Sequence, residues 1–231
     1  MISFFINFTF NILLQCWDAA FILAEHLIAH ESEWNKSSSC LVELGSGTGL
    51  CGLMLAKATL CHVRITDLPA LLPLMARNVR RNMYAQNIVD SVSECRTEKT
   101  WNEQGECEHL LFSSENFNDQ GARTNAKDAR GTVSASVLRW GMAEDYCTEY
   151  DVVIGADVVA SLYDPIALAD TMHALCYDQS VIYVSYKERL TDPHIQFQDR
   201  LECLFESVER IRPTSRNRNP QVWILKATGK R

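Results

Sequence analysis

The chain has 231 residues, 47% of them hydrophobic, and a formal net charge of −7. That length suits one generous domain or two cramped ones, with enough apolar residues for a sizeable core, and the acidic balance argues against electrostatic capture of nucleic acid. Nine cysteines occur without a CxxC pair or regular spacing. Cys40, Cys51, Cys61, Cys176 and Cys203 fall in apolar segments and read as reduced, buried thiols of an intracellular protein.

Residues 1–15, MISFFINFTFNILLQ, are apolar but interrupted by Asn7, Thr9 and Asn11, and they carry no Lys or Arg. They lack a signal peptide's charged region and fall short of the ~20 residues that span a bilayer. Alternating Phe4, Ile6, Phe8 and Phe10 suit a strand or packed arm. The expectation is a cytoplasmic protein without membrane contact. Cys16-Trp17-Asp18-Ala19-Ala20 then opens a helix with Ala20, Leu23, Ala24, Leu27 and Ile28 on one face. Trp17, just ahead of it, either plugs the core or lies against a ligand. His26 and His30 have i,i+4 spacing, but without a HExxH glutamate or third ligand they read as a solvated helix face, and no metal is expected.

Residues 40–56 carry the strongest local signal. An apolar run leads into Glu43 and Leu44, then Gly45-Ser46-Gly47-Thr48-Gly49, then Leu50, Leu53, Met54 and Leu55 at helical spacing. This is strand, tight glycine loop, helix. Such a loop lets backbone approach a ligand closely, and the helix start offers unpaired N–H groups. The dinucleotide fingerprint needs a glycine where Leu50 stands, and the Lys-Ser/Thr of a phosphate loop is absent. An acid, Glu43, precedes the first glycine by two residues. A second strand over 61–66 ends in Asp67, where a carboxylate can accept both hydroxyls of a ribose. Loop and both acids together resemble motif I and the second-strand acid of S-adenosylmethionine (SAM)-dependent, seven-stranded methyltransferases, and that resemblance implies SAM as the ligand.

After Leu68-Pro69 a helix runs through Leu72, Met75, Val79 and Asn82, with Arg77, Arg80 and Arg81 on a solvated face. Residues 93–131 are polar and unpatterned, which reads as a mobile insertion, with a substrate-contacting lid as the alternative. A strand over 133–140 ends in Trp140-Gly141. The run YDVVIGADVV (150–159) is a strand buried on both faces that ends in Asp157. A helix over 165–175, a strand over 180–186 and an amphipathic helix over 197–209 follow. Residues 208–211 and 221–227 look like a closing antiparallel pair around the basic loop 212–219. Alternating strands and helices argue for a single α/β domain, 1–231, with a mostly parallel sheet.

Four separated pieces now fit one family: Trp17-Asp18-Ala19-Ala20, the glycine loop with Leu50-Cys51-Gly52, Thr66-Asp67-Leu68-Pro69, and Trp140-Gly141 followed by Gly155-Ala156-Asp157-Val158-Val159. Over residues 15–190 the chain resembles the family-16 protein methyltransferases, most of which methylate lysines of non-histone proteins such as chaperones and translation factors. The resemblance implies a Rossmann-like, doubly wound, seven-stranded sheet with an antiparallel last strand. It implies SAM as cofactor, S-adenosyl-L-homocysteine as product, and a protein substrate. Gly45, Ser46 and Gly47 would line the methionine part, with Glu43 counted beside them. Asp67 would hold the ribose, Trp140 would sit against the adenine, Ala156 would touch the cofactor through its backbone, and Trp17 would close over it. The family's Asp-x-x-aromatic motif beside the target amine starts here at Asp157, but Ala160 stands at its fourth position. Tyr163, three residues on, would supply the ring from a different place. Asp157 is the candidate acid that orients the amine, and a cap for the following loop is its other reading.

Adenine amino-methylation in this fold class goes with Asn/Asp-Pro-Pro-aromatic, and the chain reads Asp157-Val158-Val159-Ala160 instead. A SAM-binding module without turnover, supported by Ala160, is the competing reading outside the enzymes. Another protein side chain or a small molecule is the competing acceptor.

Overall fold

The computed structural model describes residues 18–35, 39–59, 61–83, 97–102, 105–110, 131–142, 149–188, 192–215 and 219–231. The expected arm 1–15, Trp17 and residues 93–96, 103–104 and 111–130 of the expected insertion lie outside the described residues. Helix α1 (Asp18–Ala29) and the single turn α2 (Glu31–Trp34) lead into β1 (Cys40–Leu44), α3 (Leu50–Ala58), β2 (His62–Asp67) and α4 (Leu72–Met83). Strands β3 (Thr97–Asn102), β4 (Gly105–Leu110), β5 (Thr132–Val137) and β6 (Tyr150–Ala156) come next. The chain closes with α5 (Pro165–Ala174), β7 (Cys176–Lys187), α6 (Asp192–Leu204), β8 (Phe205–Ile211) and β9 (Val222–Lys230).

Among the described residues the strands form one sheet in the order β3-β4-β5-β2-β1-β6-β7-β9-β8. From β5 to β7 the pairs are parallel, and β9 lies antiparallel between β7 and β8. The seven strands from β5 to β8 are the expected sheet with its antiparallel ending. Alternation along β1 divides the core: Leu41 packs with α1, α3 and α4 on one face, while Val42 and Leu44 pack with α5 and α6 on the other. From β1 the chain winds outward through β2 to β5, then returns to continue on the other side through β6 and β7. The carboxyl ends of β1 and β6 therefore flank the crevice where ligands bind in doubly wound sheets.

Four local expectations need correction. The segment read as an insertion contains β3 and β4, which pair as a hairpin and join β5 through His109↔Ser136 and Leu110↔Ala135. Backbone pairing at a sheet margin holds polar sequence in strands without the apolar alternation that announces them. Gly131 then begins the entry to β5, its N–H shared between the carbonyls of Ala56 and Thr59 (3.0 and 3.1 Å), and a Cβ there would stand 2.2 Å from the Cys61 carbonyl. The helix read over 197–209 is α6 followed by β8. The i,i+4 spacing of Phe197, Leu201 and Phe205 runs on past the helix end, and β9 captures 205–211 as a strand. His26 is not solvated: it is 6% exposed, and its Nδ1 accepts the Thr214 N–H at 3.1 Å. Burial, then His30, pulls its pKa down to about 4. Of the five cysteines expected to be buried, Cys51, Cys61 and Cys176 are, whereas Cys40 and Cys203 are exposed; all five are free thiols.

Candidate functional site

The glycine loop leaves β1 at Leu44 and enters α3 at Leu50. Gly45, Gly47 and Gly49 have φ of 62°, 54° and 78°, the left-handed region that costs glycine little and other residues about 1 kcal/mol or more. Gly45 also answers to space, because a Cβ there would meet Val158 Cγ1 at 2.7 Å and Trp140 Cζ2 at 3.3 Å. Ser46 is a fastener. Its N–H and hydroxyl both donate to the Thr66 carbonyl at 3.0 Å, and the hydroxyl lies 3.2 Å from Met75 Sδ. The loop is thereby held to the end of β2.

Two acids stand behind it with different partners. Glu43 is 2% exposed, and its Oε2 accepts the Gly52 N–H of α3 at 2.9 Å. Burial pushes its pKa up to about 8, the Gly52 bond working the other way. Its carboxyl is thus turned to the helix that follows the loop, where a Cβ on Gly52 would leave only 2.8 Å to Oε2. Asp67 is 7% exposed, with Oδ2 accepting the Gly47 N–H and Oδ1 the Leu68 N–H, both at 2.7 Å. Burial raises its pKa while those two bonds oppose the rise. Each carboxylate oxygen has two lone pairs, so one backbone bond apiece leaves both oxygens able to accept from a vicinal diol.

On the facing side, Trp140 follows β5 in a turn locked from α5. Gly141, at φ 83°, donates its N–H to Thr171 Oγ1 at 2.8 Å, and that buried hydroxyl donates on to the Ala167 carbonyl at 2.7 Å. The Trp140 ring meets Tyr163 edge-on with centroids 5.4 Å apart. Ala156 ends β6 opposite Ser185. Asp157 follows at φ 54°, the one non-glycine residue with positive φ among the described residues, and its N–H donates to the Ser185 carbonyl at 2.8 Å. The Ser185 hydroxyl in turn donates to the Ala19 carbonyl at 2.8 Å, which ties the start of α1 to this corner. Asp164 caps α5, its Oδ1 accepting from Ile166 and Ala167 at 2.9 and 3.0 Å, so that task does not fall to Asp157. Ala160 and Tyr163 are the two ends of a single turn, with Tyr163 N–H on the Ala160 carbonyl at 3.0 Å. Burial raises the Tyr163 phenol's pKa, and the charges of Asp67 and Asp157 add to the rise.

The site therefore joins Gly45, Ser46, Gly47, Asp67, Trp140, Ala156, Asp157 and Tyr163 at the carboxyl edge of the sheet, with Glu43 one layer behind and Trp17 outside the described residues. Thr171, Ser185 and Gly52 support it without touching the crevice chemistry. Gly52 lies within the glycine-loop piece, whereas nothing in the sequence marks Thr171 or Ser185. A diol acceptor, an open glycine backbone and an indole ring beside it fit a nucleoside-bearing cofactor, and they define a class I SAM-dependent methyltransferase. Solved structures agree on the fold. A TehB-like SAM-dependent methyltransferase from Corynebacterium glutamicum superposes with a TM-score of 0.54 at 12% identity, covering 90% of this chain and 88% of that one. Magnesium protoporphyrin IX methyltransferase from Synechocystis, solved with bound SAM, gives 0.52 at 12% identity, covering 94% and 88%.

The family is narrower than the fold. The lysine methyltransferase family model matches residues 8–109 and 113–203, and the chain belongs to that family. EEF1A lysine methyltransferase 3 of Xenopus tropicalis is 27% identical over 92% of this chain and 73% of its own length. Protein N-lysine methyltransferase METTL21A of the same organism is 27% identical over 91% and 75%. The chain is a SAM-dependent protein-lysine methyltransferase.

Proposed function

We propose that the chain methylates a lysine of a non-histone protein in the cytoplasm, a translation factor or chaperone by class. In this reading Asp67 and the glycine loop hold the cofactor, while Asp157 and Tyr163 form the amine side. The observation that carries it is the meeting at Tyr163 of the Trp140 ring with the charges of Asp67 and Asp157. The charges of the cofactor acid and of the acid at the exit of β6 both reach that phenol. The named activity of one relative on EEF1A supports a translation factor as acceptor. Exposed Leu68, Met142, Leu162 and Ile166 follow the carboxyl ends of β2, β5 and β6, apolar surface suited to contact with a folded protein. Free thiols at five positions support a reducing compartment.

When bound, SAM supplies an activated methyl group on a sulfonium, and its transfer needs alignment more than covalent catalysis. Gly45 and Gly47 leave room for the methionine part, Asp67 accepts the ribose hydroxyls, and Trp140 covers the base. Asp157 accepts a hydrogen bond from the lysine amine and turns its lone pair toward the crevice. Apolar walls from Val158 and Trp140 keep water out, which favours the neutral, nucleophilic amine. The Tyr163 ring, entering from the far end of the turn that Ala160 begins, faces the cationic methylated product, a contact worth roughly 0.5–2 kcal/mol.

Incubation with labelled SAM and a methylation-deficient lysate, followed by mass spectrometry of the labelled residue, tests this reading. Label on lysine of a cytosolic protein is the expected result. Label confined to RNA or small molecules overturns it.

A further inference from the structure

We propose that Arg210 and Arg212, stacked on the two faces of Trp223, form a clamp that docks an acidic segment of the protein substrate beside its target lysine. The inference rests on the protein-lysine methyltransferase reading and names the substrate feature that reading leaves open.

Arg210 sits near the end of β8 and Arg212 two residues on, a spacing that keeps both on one face of an extended chain. Their Cζ atoms stand 3.7 and 3.4 Å from the centroid of the Trp223 ring. Two guanidinium groups that close cannot share a face, so the indole is sandwiched between them. Stacking of this kind holds a guanidinium plane rigid and leaves its edge N–H groups available for a carboxylate. Glu188 orders the assembly: its Oε1 accepts from Arg210 Nη2 at 2.5 Å and its Oε2 from Trp223 Nε1 at 3.2 Å. Among the described residues Arg212 Nη1 donates to the Pro220 carbonyl at 2.7 Å, one of the five N–H donors of a guanidinium.

Charge and place both point to an acidic ligand. Two guanidinium groups stand against one carboxylate, Glu188, which Arg210 alone of the two contacts, so the cluster is locally cationic on a chain whose net charge is −7. It also lies at the working edge of the sheet. Glu188 is three residues past Ser185, whose carbonyl receives the Asp157 N–H, and three residues of strand cover roughly 10 Å. Two steps sideways, from β6 across β7 to the β9 strand that carries Trp223, add about 10 Å at right angles, so an extended substrate crosses the distance in about four residues. An Asp or Glu that far from the target lysine would reach the clamp while the amine reaches Asp157. Arginine on an edge strand also discourages edge-to-edge pairing, a structural use that predicts no preference among substrates.

Two fluorescent peptides separate these uses: one carries a single lysine followed by glutamates, the other has glutamine at the same places. Binding to the full chain is read by anisotropy at low salt. The Glu peptide is expected to bind about tenfold tighter, as one charge-assisted contact allows. Arg212→Glu should abolish the preference and favour a peptide with arginines in place of the glutamates, at unchanged melting temperature and S-adenosyl-L-homocysteine affinity. Equal binding of the Glu and Gln peptides by the wild-type chain overturns the clamp. A preference that survives in Arg212→Glu overturns it too. Should Arg212→Glu fail to fold, Arg212→Gln is read in its place, with loss of the preference expected. Lysine labelling in lysate without any acidic bias sinks the clamp alone. Absence of lysine labelling sinks the parent reading and leaves the anisotropy result standing.

Discussion

The two sides of the crevice are built by different means. After β1 and β2 the site is backbone: three glycines at positive φ, Ser46 fastened to the Thr66 carbonyl, and an Asp67 whose two oxygens each take a backbone N–H. After β6 it is side chain. Asp157, Ala160 and Tyr163 are half-buried on one short excursion, and Leu162 among them is 54% exposed. The cofactor is common to the whole fold class, so its half can be met by loop geometry and buried acids that change little. Acceptors differ between enzymes, and their half is carried by a few side chains on a turn that can be rewritten without disturbing the sheet. In the proposed reading, Ala160 and Tyr163 are such a rewriting.

If that division holds, damage to one side should leave the other working. Asp67→Ala is expected to act on the cofactor side with the largest effect. Losing a charge-assisted acceptor costs on the order of 1.5–3 kcal/mol, or roughly 10- to 150-fold in SAM affinity by calorimetry. The Gly47 and Leu68 N–H groups lose their acceptor as well, so the melting temperature should fall. Tyr163→Ala is the matching cut on the acceptor side. It should lower turnover about tenfold, in keeping with one lost cation–π contact, while SAM affinity shifts by less than about threefold, and Tyr163→Phe should keep most of the activity. Weakened SAM binding in Tyr163→Ala would merge the two sides through the Trp140 contact.

A smaller effect belongs to Glu43, and it appears in stability rather than rate. Its folded pKa of about 8 lies above the ordinary 4.5, so between those values the folded chain keeps a proton that the unfolded chain has lost. The favourable contribution is complete below the unfolded value and disappears as pH rises through the folded one. Glu43→Gln, which stays neutral, should therefore show a flatter fall in melting temperature from about pH 5 to 8 than the wild-type chain. An unchanged slope would mean that Glu43 is ionised in the folded state.

Much of this was legible in the sequence because backbone-built features leave strong local marks. The glycines at 45, 47 and 49, and acids placed at strand ends, name a nucleoside site without any tertiary knowledge. The buried run of β6 and the final antiparallel pair were equally plain. What escaped did so for physical reasons. The β3–β4 hairpin is polar sequence in which backbone pairing sets the strands, and the start of β8 lay hidden in a helical repeat that outlasts its helix. His26 looked solvated because its partner, the Thr214 N–H, is 188 residues away. Thr171 and Ser185 are ordinary residues in their own elements, and only the fold brings them to Gly141 and Asp157. The Arg210–Trp223–Arg212 stack likewise needs β8 and β9 side by side, although the basic loop beyond it was visible as composition.

The most direct test of the divided site is Asp157→Asn, read by two instruments on one preparation. Asn keeps the volume and the capacity to hydrogen-bond the loop but removes the charge that orients the amine. Calorimetry should give a SAM affinity within about threefold of wild type, while lysine methylation falls about 100-fold or more, the scale of a positioned acid–base group. Methylation near the wild-type rate per folded molecule, with a lowered melting temperature, would contradict the account and make Asp157 a cap for its own loop.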